Sequence, residues 1–274
     1  MIDAPVKASP IVVNPDGRAM RRMERQARAR IHADLQRWGR SLFRGVTADT
    51  VALITARLDN PEYSKLLRDT MISVLQDVAD AGAEFGRRQV ESAFMGVKAV
   101  APPDVIDDAA AASSPGYVVG VVDWTAANAD AAQWAIDYGY SLIRGITDTT
   151  RVQVAREIRY FVDNSLTINQ LRDRLLNSHL FSLSRAGAIA VTEVTRAYAE
   201  GNMAAWKASR VVEGKEWMTA TDEIVCPICA PLRGQIARLA EPFGGRIMNP
   251  PAHVNCRCWV LPVVIGDTAA VVTP

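Results

Sequence analysis

All four cysteines of this chain fall in one short stretch, between Cys226 and Cys258. Cys226 and Cys229 form a C-x2-C pair, and after 26 intervening residues Cys256 and Cys258 form a C-x-C pair. His253 stands three residues before Cys256. Because no thiol occurs elsewhere, this clustering predicts that the two pairs and the histidine come together in the fold and share one role.

Three kinds of site fit the pattern. Zinc prefers four nitrogen or sulfur ligands in a tetrahedron, and a C-x2-C knuckle supplies two of them from one tight turn. Five residues are then candidates for the four ligand positions. The preferred ligands are Cys226, Cys229 and Cys256, with His253 or Cys258 as the fourth. Two disulfides are the second reading, which a reducing compartment disfavours, and unbound or redox-active thiols are the third. We favour structural zinc, because two short-spaced ligand pairs are a stronger signal than one.

The segment that holds these ligands is too small to be stable alone. From Gly214 onward, short runs with strand-like composition (KEWMTA, GQIARL, GGRIM and CWVLPVVI) are separated by glycine and proline. About fifty such residues bury little apolar surface, whereas a bound metal adds its binding free energy directly to folding. We therefore expect an α+β protein, mostly α-helical, with a small carboxyl-terminal β-rich subdomain held together by zinc.

Helical periodicity dominates the rest of the chain. A short helix over Thr50–Leu58 is expected to stop at Asp59-Asn60-Pro61, and a longer one to cover Pro61–Gly96. The predicted organisation is a flexible arm (1–17), a helical region (18–96), a linker (97–116), a second domain (117–265, with a helical part over 124–210 and a zinc-binding β part over 214–265) and a tail (266–274).

The second half of the chain is predicted to contain further capped helices. One helix is expected to end at Gly145, and Thr147 or Asp148 to cap the next, which would turn Val152, Ala155, Ile158 and Val162 inward. Thr167 is expected to cap a short helix, and Ser182 or Ser184 a long alanine-rich one. SLFRGVTADT (41–50) and SLIRGITDTT (141–150) agree at six of ten positions, which indicates either a duplicated helix–turn–helix or similar capping chemistry.

The net charge of +1 conceals a basic segment. Between Arg18 and Arg44 there are nine arginines, opposed by Glu24 and Asp34 alone, while Met20, Met23, Ala27, Ile31, Leu35, Trp38 and Leu42 form one apolar stripe at helical spacing. The stripe either packs on its own domain, leaving a solvated basic face, or the helix binds a partner. Candidate contacts with DNA backbone or an acidic protein surface are Arg18, Arg21, Arg22, Arg25, Arg28, Arg30, Arg37 and Arg40. A membrane or calmodulin-type target is a weaker alternative.

Little in the sequence indicates catalysis or a membrane span. No run of about 18 apolar residues is present, and neither is a phosphate-binding GxxxxGK loop. Glu193 and Arg196 share one helix face and are interpreted as a structural ion pair that links this helix to the zinc subdomain. A zinc-dependent nuclease, with Glu193 as base or with Asp222 and Glu223 beside the knuckle, is the alternative to a non-enzymatic protein.

Three strings together resemble a known family. TEVTRAYAEGN (192–202), WMTATDEIVCPIC (217–229) and PPAHVNCRC (250–258) occur in the order typical of the phage head morphogenesis family, the relatives of the Mu F-like minor head protein. The likeness spans about 124–264 and leaves 1–115 uncovered.

The resemblance implies a minor structural protein of a tailed-phage head. Members associate with the portal vertex and act in head assembly, DNA packaging or delivery, so the expected partners are the portal protein, a major capsid or scaffolding protein and packaged DNA backbone, with no membrane. The expected location is the virion, reached by assembly in the host cytoplasm. Some members carry toxin or enzymatic domains beyond the shared region, and none is expected here, since only ten residues follow Val264.

Overall fold

The computed structural model describes residues 17–96, 124–219 and 226–264. Within them the chain is mostly helical and closes with a three-stranded antiparallel sheet, which confirms the predicted mixture of α and β structure. The helices are α1 (Gly17–Leu42), α2 (Ala52–Asp59), α3 (Pro61–Gly96), α4 (Trp124–Asp163), α5 (Ile168–Leu176) and α6 (Leu183–Ser209), and the strands are β1 (Val212–Met218), β2 (Ile236–Arg238) and β3 (Trp259–Val264).

The predicted linker at 97–116 and tail at 266–274 lie outside the described residues, as does the predicted arm at 1–17 except for Gly17, the first residue of α1. The division into two domains therefore stays a prediction. Of the described helices, none combines the length and apolarity that crossing a bilayer requires.

The apolar stripe of α1 is buried inside the protein. Ala27, Ile31, Leu35, Trp38 and Leu42 belong to the main core, with α1 packed against α6 and α3. Gln36 Nε2 donates to the backbone oxygen of Phe181 over 2.7 Å, which ties α1 to the turn before α6. The stripe thus follows the reading in which it packs on its own domain, and the arginines face outward.

The core depends on very close packing of α3 against α6. Gly82 on α3 and Gly201 on α6 have no side chain between the two helices: a Cβ at Gly82 would overlap the backbone oxygen of Tyr198, and one at Gly201 would overlap that of Ala79. Helices from both sides of residues 97–123 therefore share one core, and only glycine fits at these two positions.

The predicted helix boundary at Gly145 is wrong. α4 runs unbroken for 40 residues through Gly145. Neither Thr147 nor Asp148 begins a new helix, and the hydroxyl of Thr149 donates to the Gly145 oxygen over 2.7 Å within the continuing helix. A mid-helix glycine costs only about 1 kcal/mol, and the buried Ile143 and Ile146 on either side continue the packed face.

The uninterrupted helix also changes which residues face the core. Val152 and Val162 are 60% and 62% exposed, contrary to prediction, and Val154 and Phe161 are buried instead. The sequence echo is therefore not a structural repeat. In its first copy α1 ends at Leu42 and Thr47 precedes a short 3-10 turn, whereas the second copy lies within α4.

Other helix ends follow the predicted capping chemistry. The hydroxyl of Thr167 accepts from the Gln170 amide at the start of α5, and that of Ser182 accepts from the Arg185 amide at the start of α6. α2 ends at Asp59 and α3 begins at Pro61, as expected where proline cannot continue a helix but fits its first turn.

The sheet has the order β2-β1-β3, with β1 antiparallel to both neighbours. Trp217 of β1 and Val260 of β3 pack with Phe243 and with Trp206 of α6 in a second core that also contains three cysteines. Of the four strand-like runs, GGRIM forms no strand and contributes only an isolated bridge between Phe243 and Ile247.

A fully buried lysine lies on the central strand. Lys215 Nζ donates to the backbone oxygen of Met248 over 2.7 Å and lies 5.3 Å from the centre of the Phe243 ring. It also contacts Asn249 Oδ1 at 3.4 Å, and the Asn249 amide donates to Glu200 of α6. Burial lowers the pKa of Lys215 to about 8.

The glycine packing predicts opposite effects for one substitution at two sites. Gly201→Ala places a methyl group on the Ala79 carbonyl, so we expect it to lower the free energy of unfolding by about 3 kcal/mol. Gly145→Ala, where no atom lies within 4 Å of the new Cβ, should raise it by about 0.5–1 kcal/mol, because alanine is the better helix former. Urea denaturation followed by circular dichroism measures both, and a Gly201→Ala protein as stable as wild type would contradict the close contact.

Lys215 predicts a pH dependence of stability. Its pKa of about 8 in the folded protein lies below the ordinary 10.5, so between these pH values the unfolded chain binds more protons than the folded one. The free energy of unfolding should therefore rise with pH across this window in wild type relative to Lys215→Met. Urea titrations of both proteins measure the difference, and Lys65→Met, at an exposed position on α3, should leave the wild-type rise intact.

Candidate metal centre

The first half of the candidate site is a tight turn. The amides of Cys229 and Ala230 both donate to the Cys226 backbone oxygen, over 3.0 and 2.9 Å. The Cys229 amide also donates to Cys226 Sγ over 3.3 Å. This is the arrangement expected of a C-x2-C knuckle, in which backbone N–H groups stabilise a thiolate and both sulfurs face the same side.

The second half is the loop that precedes β3. The Cys256 amide donates to the His253 backbone oxygen over 3.2 Å, and Asn255 between them adopts the left-handed region at φ 62°. Asparagine tolerates this region better than most residues. The turn places the His253 and Cys256 side chains beside the knuckle.

Five side chains then form two overlapping groups that share Cys229. Within each group the donor atoms lie within 4.8 Å of one another. His253 Nε2 is 2.9 Å from Cys226 Sγ and 3.2 Å from Cys229 Sγ, and Cys229 Sγ is 3.8 Å from Cys256 Sγ. All four thiols are free, so the two-disulfide arrangement is not what this structure adopts. The groups are Cys226, Cys229 and His253, and Cys229, Cys256 and Cys258.

The histidine is oriented as metal-binding histidines are. Its Nδ1 lies 2.8 Å from the Val254 backbone oxygen, an acceptor, so Nδ1 carries the proton and donates it. In the neutral ring Nε2 then has a free lone pair, and this is the atom that faces the two knuckle sulfurs.

The donor set fits zinc. With Zn–S and Zn–N bonds of about 2.3 and 2.0 Å, a tetrahedron separates two sulfurs by about 3.8 Å and a sulfur from a nitrogen by about 3.5 Å. The Cys229–Cys256 distance of 3.8 Å agrees with this, and the His253 ring would need to move outward by about half an ångström. Thiolate and imidazole are the ligands that structural zinc sites use.

The thiols differ in their readiness to ionise. A hydrogen bond from the Cys258 thiol lowers the pKa of Cys256 to about 5. Burial raises the pKa of Cys226, but hydrogen bonds from the Cys229 and Ile228 amides reverse that effect, and the net shift is downward. Burial raises the pKa of Cys229 to about 12, and donation to Cys256 raises that of Cys258. Cys226 and Cys256, one from each half of the site, are therefore the thiolates that attract a cation first.

Two threonines of α6 hold the histidine–cysteine loop in place. Thr195 Oγ1 donates to the Cys256 backbone oxygen over 2.9 Å, and the Asn255 amide donates to Thr192 Oγ1 over 3.0 Å. Sequence reasoning gave these threonines no role. The available signal was two hydroxyl residues three apart on a helix whose neighbouring positions are mostly apolar or alanine.

The Glu193–Arg196 pair forms, but it does not join α6 to the metal site. Arg196 Nε lies 3.2 Å from the buried Glu193 carboxylate, and both residues face Tyr138 of α4. Burial raises the pKa of Glu193, an effect that Arg196 and Tyr138 oppose. The pair therefore links α6 to α4, because the side chains at 193 and 196 lie on a different face of the helix from Thr192 and Thr195.

The remaining candidate residues lie elsewhere. Exposed arginines along α1 are Arg21, Arg22, Arg25, Arg28, Arg30, Arg37 and Arg40. Two of them also pair with carboxylates, Arg30 with Asp77 and Arg37 with Asp34. The side chain of Arg18 and both Asp222 and Glu223 fall outside the described residues. His32 on α1 and His179 before α6 belong to neither donor group.

These elements define a mostly helical protein with a small β subdomain, in which a knuckle and a histidine–cysteine loop form a candidate metal centre against the last helix. Residues 149–261 match the family model described as Phage Mu protein F like protein. The match confirms the resemblance seen in the sequence and contains all five candidate ligands. No curated protein and no solved structure matches the chain significantly.

The geometry predicts which substitutions remove the metal. Cys229 belongs to both donor groups, so Cys229→Ser should lower zinc content from about one per chain to near zero and unfold the β subdomain. His253→Ala should also lose the metal, whereas Cys258→Ser should keep it. Elemental analysis of protein purified under reducing conditions measures zinc, and His179→Ala is the matched histidine control. Zinc lost from Cys258→Ser but kept by His253→Ala would show four cysteine ligands instead.

Proposed function

We propose that this protein is a minor structural component of a tailed-phage or prophage head that associates with the portal vertex and acts in head assembly or in DNA packaging or delivery. The observation that carries the proposal is the family match over residues 149–261, because it covers the carboxyl-terminal part of α4, all of α5 and α6 and the whole candidate metal centre. The expected partners are the portal protein and a major capsid or scaffolding protein, and the expected location is the virion.

Within this role we assign zinc a structural task, with Cys226, Cys229, His253 and Cys256 as ligands. Four protein ligands complete a tetrahedron and leave no position for a substrate or an attacking water. The metal would join the knuckle to the loop that Thr192 and Thr195 hold, and so fasten the small sheet to α6.

A zinc-dependent nuclease is the alternative function, and the position of Glu193 disfavours it. Such an enzyme needs an open coordination site and a nearby base. Glu193 is paired with Arg196 beside Tyr138, and neither donor group among the described residues contains a carboxylate. We therefore propose a non-enzymatic protein.

The proposal predicts that the protein is found in finished particles. Mass spectrometry of purified phage heads should detect it at few copies per particle, and particles made without its gene should be defective in assembly or DNA content. The portal protein from the same genome should retain it in a pull-down. Particles of normal composition and infectivity that lack the protein would contradict the proposal.

A matched assay addresses the nuclease alternative. Zinc-loaded protein incubated with duplex DNA and added divalent metal is expected to leave the DNA intact. Cleavage that disappears in Glu193→Gln while the circular dichroism spectrum is unchanged would favour the enzyme instead.

A further inference from the structure

We infer that the first half of α1 and the loop bearing Cys256 form one surface that binds the phosphate backbone of duplex DNA without sequence preference. The surface consists of Arg21, Arg22, Arg25, Arg28 and Arg257 and is called the arginine face below. The inference deepens the proposed function and rests on it for its setting, since packaged DNA is the duplex polyanion inside a phage head.

Packing against α6 brings the two parts of the arginine face together. α1 runs antiparallel to α6: Gly39 lies against Phe181, and Arg28 lies against Gly187. The residues of α1 that precede Arg28 therefore lie alongside the part of α6 that follows Gly187, which is where Thr192 and Thr195 hold the loop next to Arg257.

The charges around Glu24 agree with this placement. Glu24 projects from the first half of α1, where burial raises its pKa and the positive charges of Arg257, Arg21 and Arg25 oppose the rise. Arg257 is the strongest of the three cations acting on Glu24, although it is more than 200 positions away in the sequence. Arg257 therefore lies near the arginines of the first half of α1.

Glu24 offsets part of the positive charge of the arginine face, whose five arginines outnumber it. Further along α1, Arg30 pairs with Asp77 and Arg37 with Asp34. By contrast, within the described part of the chain no carboxylate lies within 4.0 Å of the guanidinium nitrogens of the five arginines of the face, all of which are exposed. Such a set of free guanidinium groups is suited to paired hydrogen bonds with phosphate oxygens.

The composition of the face favours DNA over a protein partner. The core of a protein–protein interface is apolar, and the arginines found there lie among aromatic and other apolar side chains. The apolar stripe of α1 is already buried in the molecule's own core, and the large exposed apolar side chains among the described residues lie on other elements, with Val254 the nearest in the chain to Arg257. With no exposed aromatic ring on α1 to stack on bases, contact with the backbone alone follows.

The dimensions also fit. Arg21 and Arg28 are two helical turns apart, which corresponds to about 10 Å along α1 and roughly three base-pair steps of B-DNA. Several arginines can therefore reach successive phosphates without bending the duplex.

The test compares two triple variants with the same loss of charge. Arg21, Arg25 and Arg28 are replaced by glutamine in one, and the exposed Arg156, Arg159 and Arg172 of α4 and α5 in the other. Fluorescence anisotropy with a labelled duplex gives the affinity of the full chain as a function of salt. The first variant should bind on the order of 100-fold more weakly, with a salt slope shallower by about 3, while the second stays close to wild type.

Several outcomes would overturn the inference. Equal weakening of both variants would show an effect of net charge alone, and a strong preference between two unrelated duplexes would show base readout. Binding to poly-glutamate but not to duplex DNA would indicate an acidic protein partner. Circular dichroism and thermal melting establish that the variants are folded. A protein that is present in phage heads but does not bind DNA refutes this inference and leaves the proposed function standing, whereas DNA binding by a protein absent from heads does the reverse.

Discussion

The contact between the backbones of α3 and α6 is the constraint on which the rest of the structure depends. At Gly82 and Gly201 the helices approach so closely that neither position has room for a methyl group. This approach lets one long alanine-rich helix pack against α1, α3 and α4 together. The two halves of the chain, on either side of residues 97–123, are thereby joined in one core.

Because α6 is fixed by that core, it can serve as a rigid base for the candidate metal centre. Its threonines at 192 and 195 bind the backbone of the histidine–cysteine loop, while Glu193 and Arg196, on another face, bind Tyr138 of α4. One stretch of helix thus serves two neighbours, and the small sheet is positioned by hydrogen bonds to α6 as well as by its own ligands. A metal added to this arrangement would stabilise an alignment that the helix already favours.

Several helix ends and the cysteine cluster are predictable from local chemistry, and the features that the sequence does not predict share one physical cause. Thr167, Ser182 and Pro61 mark helix ends because their effects act within one turn, and the cysteine spacing indicates a shared site for the same reason. The helix boundary predicted at Gly145 is wrong because the effect of a glycine on a helix depends on tertiary packing, here that of the buried Ile143 and Ile146. The burial of Lys215 and the role of Thr192 depend on contacts between residues far apart in sequence, which the periodicity of the sequence does not predict.

The basic helix shows how the fold changes the meaning of a sequence pattern. Taken alone, α1 is an amphipathic helix with two faces, either of which is able to bind a partner. Folding buries the apolar face against α6 and α3, so α1 is part of the core and only its charge remains available. The fold then divides the arginines, since Arg30 and Arg37 are paired with carboxylates while those of the first half are not. The loop of the candidate metal centre places Arg257 near this unpaired group. The cysteine cluster and the basic helix, the two most unusual features of the sequence, therefore meet beside the middle of α6, near Thr192 and Thr195.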